Sequence, residues 1–148
     1  EEWAPGLKTL EQATEIRRRV LSAFEEAEKE QDAEKRKRYL TFIIVGGGPT
    51  GVELAGAIGE VSRFTLAKDF RNIDLTFTRI VLIEAGLRIL SSFPAKQVNQ
   101  VVRDLENLGV EIRTSSKVTQ INENGVSIGK KRFRRQQFYG PLEFKLQN

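Results

Sequence analysis

Residues 40–45 form a short apolar run, and Gly46-Gly47-Gly48-Pro49-Thr50-Gly51 follows without a break. The run is partly β-branched, with Arg38 before it and glycines after it, which is the pattern of a buried parallel strand. Residues 52–60 are mostly small, so a helix there can lie close to a sheet. Ile80-Val81-Leu82-Ile83 is a second buried run, ending at Glu84, and Val110-Glu111-Ile112-Arg113 is a third. Parallel neighbours need long crossovers, and the segments between these runs are long enough to supply helices. The predicted core is therefore β-α-β-α-β, an α/β fold in three layers. A chain of 148 residues suits one such domain.

The flanks add detail. Trp3-Ala4-Pro5-Gly6 reads as a turn. Thr9, with Gln12 three residues on, predicts a capped helix over about 10–29. Its apolar face is Leu10, Ala13, Ile16, Val20, Phe24 and Ala27, and Glu25 and Glu28 fall on the solvent side. Residues 30–38 are highly charged and predict a solvated turn or short helix. The helix after Gly51 is expected to reach about Ala67, and residues 68–77 form a polar connector. Pro94 suits the first turn of a helix ended by Gly109. Residues 117–121 and 125–128 predict a small antiparallel hairpin through Asn122-Glu123-Asn124.

The chain has no Cys and no His, which excludes disulfides, thiolate nucleophiles, Ser-His-Asp catalysis and metal sites built on those side chains. No metal site is expected. The formal net charge is +4, but its distribution is uneven. Residues 130–148 carry six basic residues against the single acid Glu143, whereas residues 1–129 carry 18 basic and 19 acidic residues. The body is near neutral, and any nucleic-acid argument concerns the tail alone. Phe133, Phe138 and Tyr139 lie among those basic residues, yet no nucleic-acid partner is expected, because a shifted reading frame explains the tail better.

Gly46, Gly48 and Gly51 fill a G-x-G-x-x-G pattern after a strand and at the start of a helix. Gly46 permits the tight turn, Gly48 lets a pyrophosphate approach the backbone, and Gly51 lets the helix pack near the strand. The helix start then presents free amides and a positive dipole end to phosphate. Glu84 closes the second strand, 33 residues after Gly51, a longer gap than the usual 20 or so. Its position at a strand end matters more than the count. A carboxylate there accepts hydrogen bonds from ribose hydroxyls and repels a 2′-phosphate, which favours NADH over NADPH. Arg88 stands close enough in sequence to weaken that discrimination. Glu53 has two readings: a carboxylate stabilised by the helix start, or one that points over the nicotinamide.

Residues 41–56, Lys68-Asp69-Phe70-Arg71-Asn72-Ile73-Asp74 and Leu82-Ile83-Glu84-Ala85-Gly86 resemble type II NADH dehydrogenases. These are non-proton-pumping NADH:quinone oxidoreductases of the two-dinucleotide-domain flavoprotein superfamily. The resemblance spans about residues 3–129 and implies a Rossmann-like NADH-binding domain. By that resemblance Gly46, Gly47, Gly48, Pro49, Thr50 and Gly51 hold the pyrophosphate of NADH, Glu84 holds the adenosine ribose, and Glu53 is the catalytic candidate beside the nicotinamide. FAD and a membrane quinone belong to the full-length family, and the FAD fingerprint is absent from these 148 residues. The expected division is a helical lead-in over 1–38, the NADH-binding domain over 39–129 and a basic tail over 130–148. The fragment is expected to be soluble, whereas the full-length family sits peripherally on a membrane. The alternative reading is a non-catalytic NAD-binding module or an inactive truncated gene product.

The family continues after the hairpin with a strand resembling TIPAATVLWAAGV. Ordinary codons for the tail, shifted by one base, can encode that stretch. Residues from about 131 are therefore expected to be a frameshift product, which the coding DNA tests directly. Without the family strand, the parallel sheet is expected to be incomplete. The first strand would then keep an unpaired edge open to association.

Overall fold

The computed structural model describes residues 10–65, 70–74, 78–122, 125–128, 131–134 and 143–145. Thr9, the 3–6 turn, Lys68, Asp69, Glu123, Asn124, Phe138 and Tyr139 lie outside them. Helix α1 spans Leu10–Lys29 and α2 spans Ala33–Tyr39. Asp32 caps α2, its carboxylate accepting the amides of Glu34 and Lys35. Strand β1 (Thr41–Val45) leads into α3 (Pro49–Glu60), with Pro49 at the first helical position, where its missing N–H costs nothing. Strand β2 (Arg79–Ile83), α4 (Ala95–Asn107) and β3 (Val110–Arg113) complete the βαβαβ unit. Pro94 falls one place earlier than predicted. It precedes α4 as its cap, in an extended conformation. Gly109 follows α4 at φ 85°, the left-handed conformation that a helix ending of this kind needs.

The helix after β1 changes geometry before its expected end near Ala67, which lies outside the described residues. It ends at Glu60 and passes into a π-helical turn, Val61–Thr65, where the buried Ser62 hydroxyl donates to the carbonyls of Ile58 and Gly59. Arg63 in that turn donates to the Leu108 carbonyl, which ties the end of α3 to the end of α4.

Strands β1, β2 and β3 are parallel and run in the order β3-β2-β1. Their side chains alternate between two faces, as the pleat requires. Phe42, Ile44, Ile80 and Leu82 pack with Val20, Phe24 and Ala27 of α1, Leu54, Ala55 and Ile58 of α3, and Val98 and Leu105 of α4. Ile43, Val81 and Ile83 form the opposite face, against Val118 and Ile128. Those two residues belong to a small antiparallel sheet of β4 (Val118–Asn122), β5 (Gly125–Ile128) and β6 (Lys131–Arg134). Three layers result: helices, parallel sheet and antiparallel sheet.

The predicted hairpin is present as β4 and β5, and β6 extends it by pairing antiparallel with β5. One expectation about the tail is corrected. The flank of β1 is not an unpaired edge: β7 (Glu143–Lys145) pairs with it in parallel, Ile43 to Glu143 through Val45 to Lys145. Ladder pairing uses only backbone donors and acceptors, so an extended segment in register fills the position whatever its composition. The order β3-β2-β1-β7 therefore places β7 where a Rossmann sheet has its fourth strand. The sheet is open, with β3 and β7 at its two ends.

Candidate functional site

Every predicted binding residue except Glu53 gathers at the carboxyl ends of β1 and β2. The register pairs Val45 with Ile83, so Gly46 and Glu84 leave adjacent strands side by side. The Gly46 amide donates to the Ile83 carbonyl at 2.8 Å, extending the ladder by one bond. Gly46 then turns at φ 114°, a conformation that a side chain rarely adopts. Gly48 caps α3 in extended conformation and has no side chain to accept a hydrogen bond. The first-turn amides of Thr50 and Gly51 have no acceptor within the helix, and they point out of its N-terminus.

Glu84 is buried, with 9% of its surface exposed. Its Oε1 accepts the Gly47 amide at 2.9 Å and its Oε2 accepts the Gly86 amide at 2.6 Å. Its own backbone bonds to Arg113 through N–H and to Ser116 through C=O. A carboxylate oxygen has two acceptor positions, so one on each oxygen remains for a ribose hydroxyl. Among the described residues Arg88 makes no hydrogen bond or ion pair to this group. Its Nη2 donates to the carbonyls of Ser91 and Phe93, both at 2.9 Å, and so closes its own loop.

Glu53 stands apart. It is the fifth residue of α3, beyond the first turn, so the capping explanation falls. It is exposed, and among the described residues it makes no hydrogen bond or ion pair. Sequence reasoning missed the demand on Gly47. A Cβ there would stand 2.8 Å from Ile89 Cγ2 and 3.1 Å from Glu84 Cβ. No local signal distinguishes Gly47 from its neighbours, because the clash comes from residues about 40 positions away. Among the described residues no cluster of His, Cys, Asp or Glu is placed to hold a metal ion, and no helix is long and apolar enough to cross a membrane.

A glycine turn at the end of one parallel strand, facing a carboxylate at the end of the next, defines the class of Rossmann-like dinucleotide-binding domains. The chain belongs to the pyridine nucleotide-disulphide oxidoreductase family, whose sequence profile matches residues 4–137. It is 45% identical over 127 residues to the type II NADH:quinone oxidoreductase Ndh of Mycobacterium tuberculosis, covering 86% of this chain and 27% of that protein. It is 36% identical to the mitochondrial external alternative NAD(P)H-ubiquinone oxidoreductase B2 of Arabidopsis thaliana, covering 82% of this chain and 21% of that protein. The fold superposes on NDH2 of Plasmodium falciparum, solved in complex with NADH, with a TM-score of 0.81 over 95% of this chain and 29% of that one, at 20% identity. The chain thus spans about a quarter of the length of the curated relatives it matches.

Proposed function

We propose that this chain is the NADH-binding part of a flavin-dependent NADH:quinone oxidoreductase. The observation that carries the reading is the adjacency of the glycine turn and Glu84, in a chain 45% identical to a type II NADH:quinone oxidoreductase. The residues fit the dinucleotide. Thr50 and Gly51 offer partnerless first-turn amides to the pyrophosphate, and the glycines before them bring no side chain into its path. Glu84 keeps an acceptor position on each oxygen for the adenosine ribose.

When bound, NADH supplies a hydride to a flavin, which the resemblance assigns to sequence outside these 148 residues. This chain's part is to hold the dinucleotide at the strand ends and fix its orientation. Glu53 is exposed on α3, and its place near the nicotinamide rests on the family resemblance. The Glu84 carboxylate disfavours a 2′-phosphate, and Arg88 Nη2 is engaged by the Ser91 and Phe93 carbonyls.

Fluorescence titration of the chain with NADH and NADPH tests the reading. NADH should bind, and NADPH should bind at least about tenfold more weakly. Equal affinities would remove the specificity role of Glu84, and absence of NADH binding would remove the function. A second expectation concerns turnover. With added FAD and a soluble quinone the chain should show little or no NADH oxidation, and turnover at the level of a complete enzyme would contradict its role as a binding part.

A further inference from the structure

We propose that Glu84 is also a positioning residue for the glycine turn, acting through Gly47; this rests on the NADH-binding reading above. The peptide groups on both sides of Gly47 are fixed by the segment that follows β2. The Gly47 amide donates to Glu84 Oε1 at 2.9 Å, and the Gly47 carbonyl accepts the Leu90 amide at 2.8 Å. Leu90 makes that bond from φ 49°, a left-handed conformation uncommon for a side chain of its size. Ile89 fills the remaining space, with its Cγ2 at 2.8 Å from where a Cβ on Gly47 would be.

The brace is itself anchored. Glu84 Oε2 accepts the Gly86 amide, Ser115 donates to the Gly86 carbonyl at 2.7 Å, and Ser116 donates to the Glu84 carbonyl at 3.0 Å. Glu84 is thus a strut between the glycine turn and the 84–90 segment, as well as a candidate ribose ligand. Its two roles use different acceptor positions of the same carboxylate and do not compete. The strut sets the direction of the amides at the phosphate site. Removing it therefore weakens a ligand that never touches Glu84.

Reduced nicotinamide mononucleotide is that probe, since it keeps the nicotinamide, one ribose and a phosphate but has no adenosine. Glu84→Gln keeps the shape but turns an N–H group toward one of the two amides. The expected result is a loss of about tenfold in affinity for both NADH and the mononucleotide, the scale of one hydrogen bond to a charged group. A loss for NADH with the mononucleotide unaffected would overturn the proposal and leave Glu84 as a ribose ligand only.

Amide hydrogen exchange at Gly47, followed by NMR without ligand, separates this proposal from the binding reading. Exchange should rise by about tenfold in the variant relative to the unsubstituted chain. Unchanged exchange overturns the strut even if NADH binds. Failure of the unsubstituted chain to bind NADH overturns the binding reading even if exchange rises. Should Glu84→Gln fail to fold, Glu84→Asp keeps the charge and is one methylene short of both amides, so the same two readouts apply to it.

Discussion

At Gly59 an added methyl would stand 2.9 Å from Leu108 Cβ and 3.2 Å from its carbonyl oxygen, where α3 meets the residue that caps α4. At Gly56, one turn earlier, it would meet only Leu105 Cδ2 at 3.7 Å, an ordinary contact. Gly59→Ala should therefore cost about 1–3 kcal/mol of stability, whereas Gly56→Ala should be neutral or gain up to about 1 kcal/mol in helix propensity. Urea denaturation of both variants checks the contrast, and equal effects would refute it. Ser115 is exposed and sits at φ 49°. Ser115→Gly relieves that conformation and should stabilise by up to about 1 kcal/mol in the same assay. At this scale the sequence showed Gly46 and Glu84 by position alone, one just after a strand and the other at a strand end. It did not show the steric demands on Gly47 and Gly59, which come from residues far along the chain.

The 10–29 helix was legible from its period, and Phe24 anchors it as the pattern implied, edge-on to Phe42 at 5.8 Å and to Phe70 at 6.0 Å. Glu28, which the same pattern put on the solvent side, has a different task. Its carboxylate accepts the successive amides of Arg71, Asn72 and Ile73 at 2.9–3.1 Å, clasping α1 to the connector before β2. Desolvation raises the Glu28 pKa, but the amides of Asn72, Arg71 and Ile73, with the charge of Arg36, outweigh it and hold the value below 4.5. Glu111 of β3 is lowered too, first by its hydrogen bonds from Arg79 Nε at 2.6 Å and Nη2 at 3.1 Å, with the Arg79 and Arg113 charges adding to them. Both folded values lie below the unfolded one, so the unfolded chain binds more protons in that window. Their contribution to stability should be complete above pH 4.5 and lost as pH falls through the lowered values. Thermal unfolding between pH 3 and 6 tests this, with Glu28→Gln and Glu111→Gln each expected to flatten the slope; unchanged slopes would count against it.

For the whole molecule, the third strand of the small sheet and the fourth of the parallel sheet both come from the basic tail. Removing residues 141–148 deletes β7 and uncovers β1 from Ile43 to Val45. The shortened chain should be less stable and should associate with rising concentration, which sedimentation velocity measures; a stable monomer would contradict it. The sequence by itself determined the βαβαβ order, the glycine turn and the carboxylate at the second strand end. Those features follow from local periodicity and from conformations open to few residues. The tertiary structure alone decided what covers β1, what Glu28 holds and why Gly47 admits no side chain. Each of these is a contact between segments distant in sequence, governed by backbone geometry and free space that no local pattern encodes.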